Sequence, residues 1–153
     1  MEELRLRVSR TWIRPRSPAT VLVASVLTCG FYQLFWYHHI YDEIESLFER
    51  TPTGNSYWMD LLLTVISCGI YGIYVDYLMC NQLNAGLAEL GHRANKDEGT
   101  VVVVLDVSAY VTGWMSNLVT TALAQDQMNK LLNGPLTPRK PPSPPETTAL
   151  SQP

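Results

Sequence analysis

Apolar and polar positions are sharply segregated along this chain. Three apolar runs stand out. The first, 19–37 (ATVLVASVLTCGFYQLFWY), carries no charge. The second, 57–80 (YWMDLLLTVISCGIYGIYVDYLMC), is uncharged from Leu61 to Val75 and flanked by Asp60 and Asp76. The third, 101–124 (VVVVLDVSAYVTGWMSNLVTTALA), is more polar and holds Asp106. A membrane-crossing helix needs about 20 mostly apolar residues, so the pattern predicts an all-α membrane protein with about three transmembrane helices. A soluble bundle is disfavoured, because three such runs in 153 residues leave too little polar surface to cover them. Beyond the first run, Tyr37, Ile40, Tyr41, Ile44, Leu47 and Phe48 fall at helical spacing; beyond the second, Cys80, Leu83, Leu87 and Leu90 do. Both read as amphipathic helical extensions that pack on neighbours or lie at the membrane surface.

The runs repeat one another. An offset of 39 carries Thr28-Cys29-Gly30 onto Ser67-Cys68-Gly69 and Tyr32 onto Tyr71. The same offset takes Tyr71 to Tyr110, and an offset of 45 takes Gln82-Leu83-Asn84 to Gln127-Met128-Asn129, which makes the third run a degenerate copy. Three small residues in a row let helix backbones approach closely in lipid, where apolar burial drives little association. Thr28, Gly30, Tyr32, Ser67, Gly69 and Tyr71 are therefore expected to serve helix packing and bending, with the hydroxyls re-satisfying freed carbonyls. On this reading Gly30→Leu and Gly69→Leu damage folding more than Gly86→Leu or Gly91→Leu, since Gly86 and Gly91 lie in polar segments. A different arrangement makes each Cys-Gly the tip of a re-entrant hairpin, because the apolar stretch before each Gly is only about ten residues. The recurrence also explains Cys29 without a lipoprotein cleavage at VLTC, since Cys68 has the same setting.

Charge refines the picture. Five arginines fall in residues 1–18, a basic N-terminal segment; residues 19–132 form the repeat-containing membrane domain; 133–153 read as a disordered Pro-rich tail. With three spans and the N-terminus inside, seven basic residues lie on the cytoplasmic side and four opposite; if the third run fails to span, the division becomes ten to one. The net charge of −3 gives no nucleic-acid footprint, and three cysteines without a C-x-x-C motif suggest neither a disulfide framework nor a zinc site. His38 and His39 point to different helix faces and are not expected to share a metal. Asp60 and Asp76 read as interfacial. Asp106 is the one possible intramembrane polar site, unless the third span starts at Val107. No hydrolase triad, phosphate loop or paired metal ligands can be read, so neither catalytic residues nor a cofactor is expected.

Thr28-x-Gly30-Phe31-Tyr32-x-x-Phe35-Trp36, its second copy from Ser67 to Tyr74, and the closing Gln125-Asp126-x-Met128-Asn129 resemble the bacterial membrane family called domain of unknown function 4234, over roughly residues 15–132. Val75 departs from that pattern, where Trp would stand. The resemblance implies a small multi-span protein of the bacterial inner membrane and carries no activity. Two functions remain open: a non-enzymatic scaffold or accessory subunit that assembles with itself or other membrane proteins in the lipid bilayer, and an oligomeric channel or transporter with a path lined by Asp106, Tyr32 and Tyr71.

Overall fold

Runs of apolar residues without proline fold as helix until the backbone is forced out of the right-handed region. The computed structural model describes residues 2–92, 97–112 and 115–133. Among these the chain forms seven helices and no strand: α1 (Glu2–Arg10), α2 (Pro18–Leu27), α3 (Phe31–Phe48), α4 (Tyr57–Ile66), α5 (Ile70–Glu89), α6 (Glu98–Thr112) and α7 (Met115–Leu132). The all-α expectation holds. The expected spans near 19–37, 57–80 and 101–124 do not form single crossings, because each is divided between two helices, and no helix among the described residues is long and apolar enough to cross a membrane.

The division has a local cause. At the end of α2, Cys29 and Gly30 are both left-handed (φ 50° and 90°); at the end of α4, Cys68 and Gly69 repeat this (φ 54° and 91°). Cys29 N donates to Val26 O and Gly30 N to Ser25 O; Cys68 N donates to Val65 O and Gly69 N to Thr64 O. These paired bonds are those of a Schellman helix stop. The Thr28 hydroxyl donates to Ala24 O (2.8 Å) and accepts from Tyr32 N (2.9 Å), so it closes one helix and caps the next. Ser67 likewise accepts from Tyr71 N (2.9 Å). The hydroxyl-Cys-Gly triplet is thus a helix-turn-helix joint. Thr28→Val is expected to cost about 1 kcal/mol, the usual worth of a helix cap, read as a lower denaturant midpoint in detergent. An unchanged midpoint would mean that the cap is dispensable.

The three joints make three helical hairpins. Arg16 before α2 meets Glu43 of α3 at 2.6 Å, Thr64 of α4 faces Gly72 of α5, and Thr120 of α7 donates to Asp106 of α6 at 2.6 Å. Their turns gather at one end: Tyr110 Oη donates to Cys68 O (2.8 Å), and Gln33 Nε2 to Asn117 Oδ1 (3.0 Å). Tyr71 follows its turn, whereas Tyr110 precedes the third, so the offset-39 match between them joins opposite arms; the offset-45 match of Gln82 to Gln127 keeps both on second arms. The junction at 113–114 lies outside the described residues.

The opposite end holds the core. Ile40, Ile44 and Leu47 of α3 pack with Met79, Leu83, Leu87 and Leu90 of α5 and Met128 and Leu131 of α7. Both expected amphipathic stripes therefore face this core. The basic N-terminal segment joins it: Leu4 and Val8 of α1 are buried there, and Arg7 donates to Leu47 O (3.2 Å) and pairs with Glu49 (2.8 Å). One expectation about glycine is overturned. An added Cβ at Gly30 would meet only Gln33 Oε1, at 4.0 Å, so Gly30 supplies a left-handed backbone rather than a close approach. At Gly86 a Cβ would lie 2.6 Å from the Phe48 ring and 2.9 Å from Leu131, so Gly86 is a close-packing glycine and not a tolerant surface position. Residues 134–153, most of the expected Pro-rich tail, lie outside the described residues.

Candidate functional site

Three acidic residues that read as interfacial or borderline in the sequence are buried together. Asp60, Asp76 and Asp106 are 3–4% exposed. They line a partly open cavity of about 330 Å³ enclosed by α3, α4, α5, α6 and the start of α7. Asp60 and Asp76 are buried within the protein, and their partners come from distant segments. Asp60 accepts from Tyr41 Oη (2.8 Å), Thr53 Oγ1 (2.5 Å), Asn55 Nδ2 (3.0 Å) and Tyr71 Oη (3.0 Å). Asp76 accepts from Tyr37 Oη through both oxygens (2.8 and 2.9 Å). Burial and the hydrogen bond to Asp60 hold the Tyr41 phenol above its ordinary value, so it remains a donor at neutral pH.

Asp106 differs from the other two. Its Oδ1 accepts from Thr120 (2.6 Å) and Asn117 (3.3 Å), while Oδ2 is buried without a hydrogen-bond partner. Asp76 is its acidic neighbour in the same cavity lining and interacts with it electrostatically. No Lys, Arg or His among the described residues lines the cavity. Its described lining is acidic at Asp60, Asp76 and Asp106 and otherwise mostly apolar or phenolic, with Gln33, Thr64 and Asn117. Toward the turns the lining residues Leu34, Val65, Cys68 and Tyr110 are exposed, which sets the mouth at the hairpin tips.

The residues singled out in the sequence divide between joint and cavity. Thr28 and Ser67 cap helices; Gly30 and Gly69 supply the turns and touch the cavity mouth. Gly69 is also tight, since a Cβ there would lie 2.8 Å from Tyr110 Oη. Tyr71 reaches the cavity wall through Asp60, whereas Tyr32 packs against the core and does not line the cavity. The closing motif is a stitch: Gln125 accepts from Trp36 Nε1 (2.7 Å), Asn129 exchanges hydrogen bonds with the Arg16 backbone, and Met128 is fully buried.

A second polar cluster lies outside the cavity. His38 and Asp42 pair at 3.1 Å one turn apart, and His39 comes near enough that one ligand atom from each of the three lies within 4.8 Å of the others. The two imidazoles therefore lie closer together than their adjacent places on the helix suggest. His38 also packs edge-on against Tyr57 (5.1 Å) and Trp58 (5.8 Å), forming an exposed aromatic cluster at the start of α4.

No curated protein and no solved structure matches this chain. Residues 16–85 match the family model described as Domain of unknown function (DUF4234), which takes in both Cys-Gly joints, Asp60 and Asp76 and stops short of Asp106 and the closing motif. On that match residues 16–85, a little under half of the chain, are similar to the DUF4234 family.

Proposed function

We propose that this chain is a monotopic membrane protein without enzymatic activity. Three helical hairpins seat it in the cytoplasmic leaflet of the bacterial inner membrane, where it serves as an assembling scaffold or accessory subunit. One observation carries the reading: apart from Trp12 and Phe35, the large apolar side chains that are two-thirds or more exposed among the described residues flank the hairpin turns. Leu27, Phe31, Val65, Ile66, Ile70 and Val111 are each two-thirds or more exposed. An apolar surface of this kind marks a lipid or protein contact. The short arms α2 and α4 have ten residues each, about 15 Å at the rise of an α-helix, and half of a hydrocarbon core of about 30 Å. The hairpins thus match the depth of one leaflet. The hydrogen-bonded turns meet the requirement that backbone groups be satisfied in lipid. Trp58, Tyr57 and His38 at the foot of α4 supply the aromatic collar usual at head-group level.

Charge supports the same reading. Of the eleven Lys and Arg residues only Lys130, in the last turn of α7, falls within the helices of the hairpins. A hairpin topology brings all eleven to one side, in line with the positive-inside rule, where a three-span topology divides them.

The test uses the native cysteines. Cys29 and Cys68 are exposed at the turns and Cys80 is buried. In intact inner membranes, a membrane-impermeant maleimide should label neither turn cysteine from either face, while a cysteine placed at Ser56 labels from the cytoplasmic face. Reporter fusions after Arg50 and within 92–98 should both read as cytoplasmic. Labelling of Cys29 or Cys68 from the periplasmic face would show crossing. Recovery of the protein in the soluble fraction would end the membrane reading.

A further inference from the structure

We infer that the cavity between the hairpins binds a lipophilic amine, with its ammonium group on Asp106 and Asp76 and its apolar body running toward the hairpin tips. The inference goes beyond membrane seating and stands without it, since it rests on the cavity alone.

The unpaired oxygen of Asp106 is the first argument. Asp60 has four donors and Asp76 has the Tyr37 phenol, but Asp106 Oδ2 has none although the residue is 97% buried (3% exposed). A buried carboxylate oxygen without a donor is costly to the fold, and such groups in native proteins usually have a reason. Asp76 lines the same cavity, and when both acids are ionised their like charges add to the cost. A bound N–H donor carrying positive charge relieves both, and no Lys, Arg or His among the described residues lines the cavity to supply one.

Shape and lining then select the class of cation. About 330 Å³ lies at the low end of small-molecule pockets. A bare metal ion needs several oxygen ligands around one point. Among the described residues the one group of acids, histidines or cysteines that converges closely enough for an ion is His38, His39 and Asp42, and the cavity carboxylates are not in it. Leu, Val, Ile, Ala, Gly and Tyr make up most of the remaining lining, which suits hydrocarbon, with Gln33, Thr64 and Asn117 as its neutral polar members. Amine head groups that carry a phosphate are disfavoured, because the cavity has no basic residue to meet the phosphate. What remains is a singly charged amine with an apolar tail. Its source is either water or the bilayer, since the mouth at Leu34, Val65, Cys68 and Tyr110 opens among the exposed apolar tips.

The test is calorimetry and thermal unfolding on the full chain in mild detergent, with hexylamine as ligand and hexanol and hexanoate as controls. Hexylamine should bind saturably and raise the unfolding temperature, and the two controls should not. Asp106→Asn should weaken hexylamine at least tenfold, the scale of one charge-assisted hydrogen bond. Asp76→Asn should weaken it similarly, and Glu45→Gln on the exposed face of α3 should leave it unchanged. Octadecylamine carried in phosphatidylcholine nanodiscs tests the membrane-borne source, and Asp106-dependent binding in either arm supports the site and identifies that source. Equal binding of hexanol, undiminished binding by both Asp variants, or no saturable amine binding in either arm would overturn the proposal. So would stabilisation by calcium chloride alone that Asp106→Asn abolishes.

Discussion

Asp60→Ala is expected to destabilise the protein by roughly 2–4 kcal/mol, the scale of leaving buried donors without their acceptor. The carboxylate is 3% exposed and is the shared acceptor for four donors from three parts of the chain. Tyr41 comes from α3, Thr53 and Asn55 from the loop before α4, and Tyr71 from the first turn of α5. Alanine leaves all four without their acceptor, and each donor left buried costs on the order of 1–3 kcal/mol unless it reaches water. Thr53 and Asn55 are only partly buried and can rehydrate, which keeps the total below the sum. Tyr41 is buried and cannot. Chemical unfolding in detergent reads the effect directly. Tyr41→Phe removes one donor and leaves Asp60 its other three, so its loss should be near 1 kcal/mol. An Asp60→Ala protein within 0.5 kcal/mol of the parent would mean that Asp60 is not what ties the loop, α3 and α5 together.

Much of this architecture was legible in the sequence, and what escaped did so for definite physical reasons. The stripes Ile40, Ile44, Leu47 and Leu83, Leu87, Leu90 identified helices with one buried face, because 3.6-residue periodicity survives whether that face meets a partner or a membrane. The triplets at 28–30 and 67–69 were recognisable as devices that recur. Their effect on chain direction was less visible: hydropathy sums apolar content across a turn as readily as along a helix, and Cys at left-handed φ is rare enough that Thr-Cys-Gly reads first as a small-residue packing surface. The hairpin alternative could be read from arm length alone. The acidic cavity could not. Asp60, Asp76 and Asp106 each sit near the edge of an apolar run, where an acid reads as a surface marker. Only the folding of the three runs into hairpins brings them to one wall, and Asp106 meets Thr120 only because its own run turns back on itself. Gly86 was misread for a similar reason. Its neighbours in sequence are polar, and the Phe48 ring that presses on it belongs to another helix.

Gly86→Leu is accordingly expected to be among the most damaging single changes, costing on the order of 3 kcal/mol, the upper part of the overpacking range. Gly86 is buried in α5 between the end of α3 and the end of α7. A methyl group alone would stand 2.6 Å from Phe48 Cζ, 2.8 Å from Phe48 Cε1 and 2.9 Å from Leu131 Cδ1, separations that real carbon atoms do not adopt. Either the Phe48 ring swings out, exposing apolar surface, or α5 moves away from α7 and loosens the core around Leu83, Leu87 and Leu131. The helix propensity gained over glycine returns at most about 1 kcal/mol. Gly91→Leu provides the contrast: its φ of 86° strains a side chain by about 1–2 kcal/mol, but nothing lies within 4 Å of its Cβ. A double mutant separates the mechanisms. In a Phe48→Ala background the ring that clashes is gone, so Gly86→Ala should cost less there than in the parent, with a coupling of about 1 kcal/mol or more. If Gly86→Leu is milder than Gly91→Leu, and the Phe48 background changes nothing, then close approach between α3 and α5 is not what glycine provides at this position.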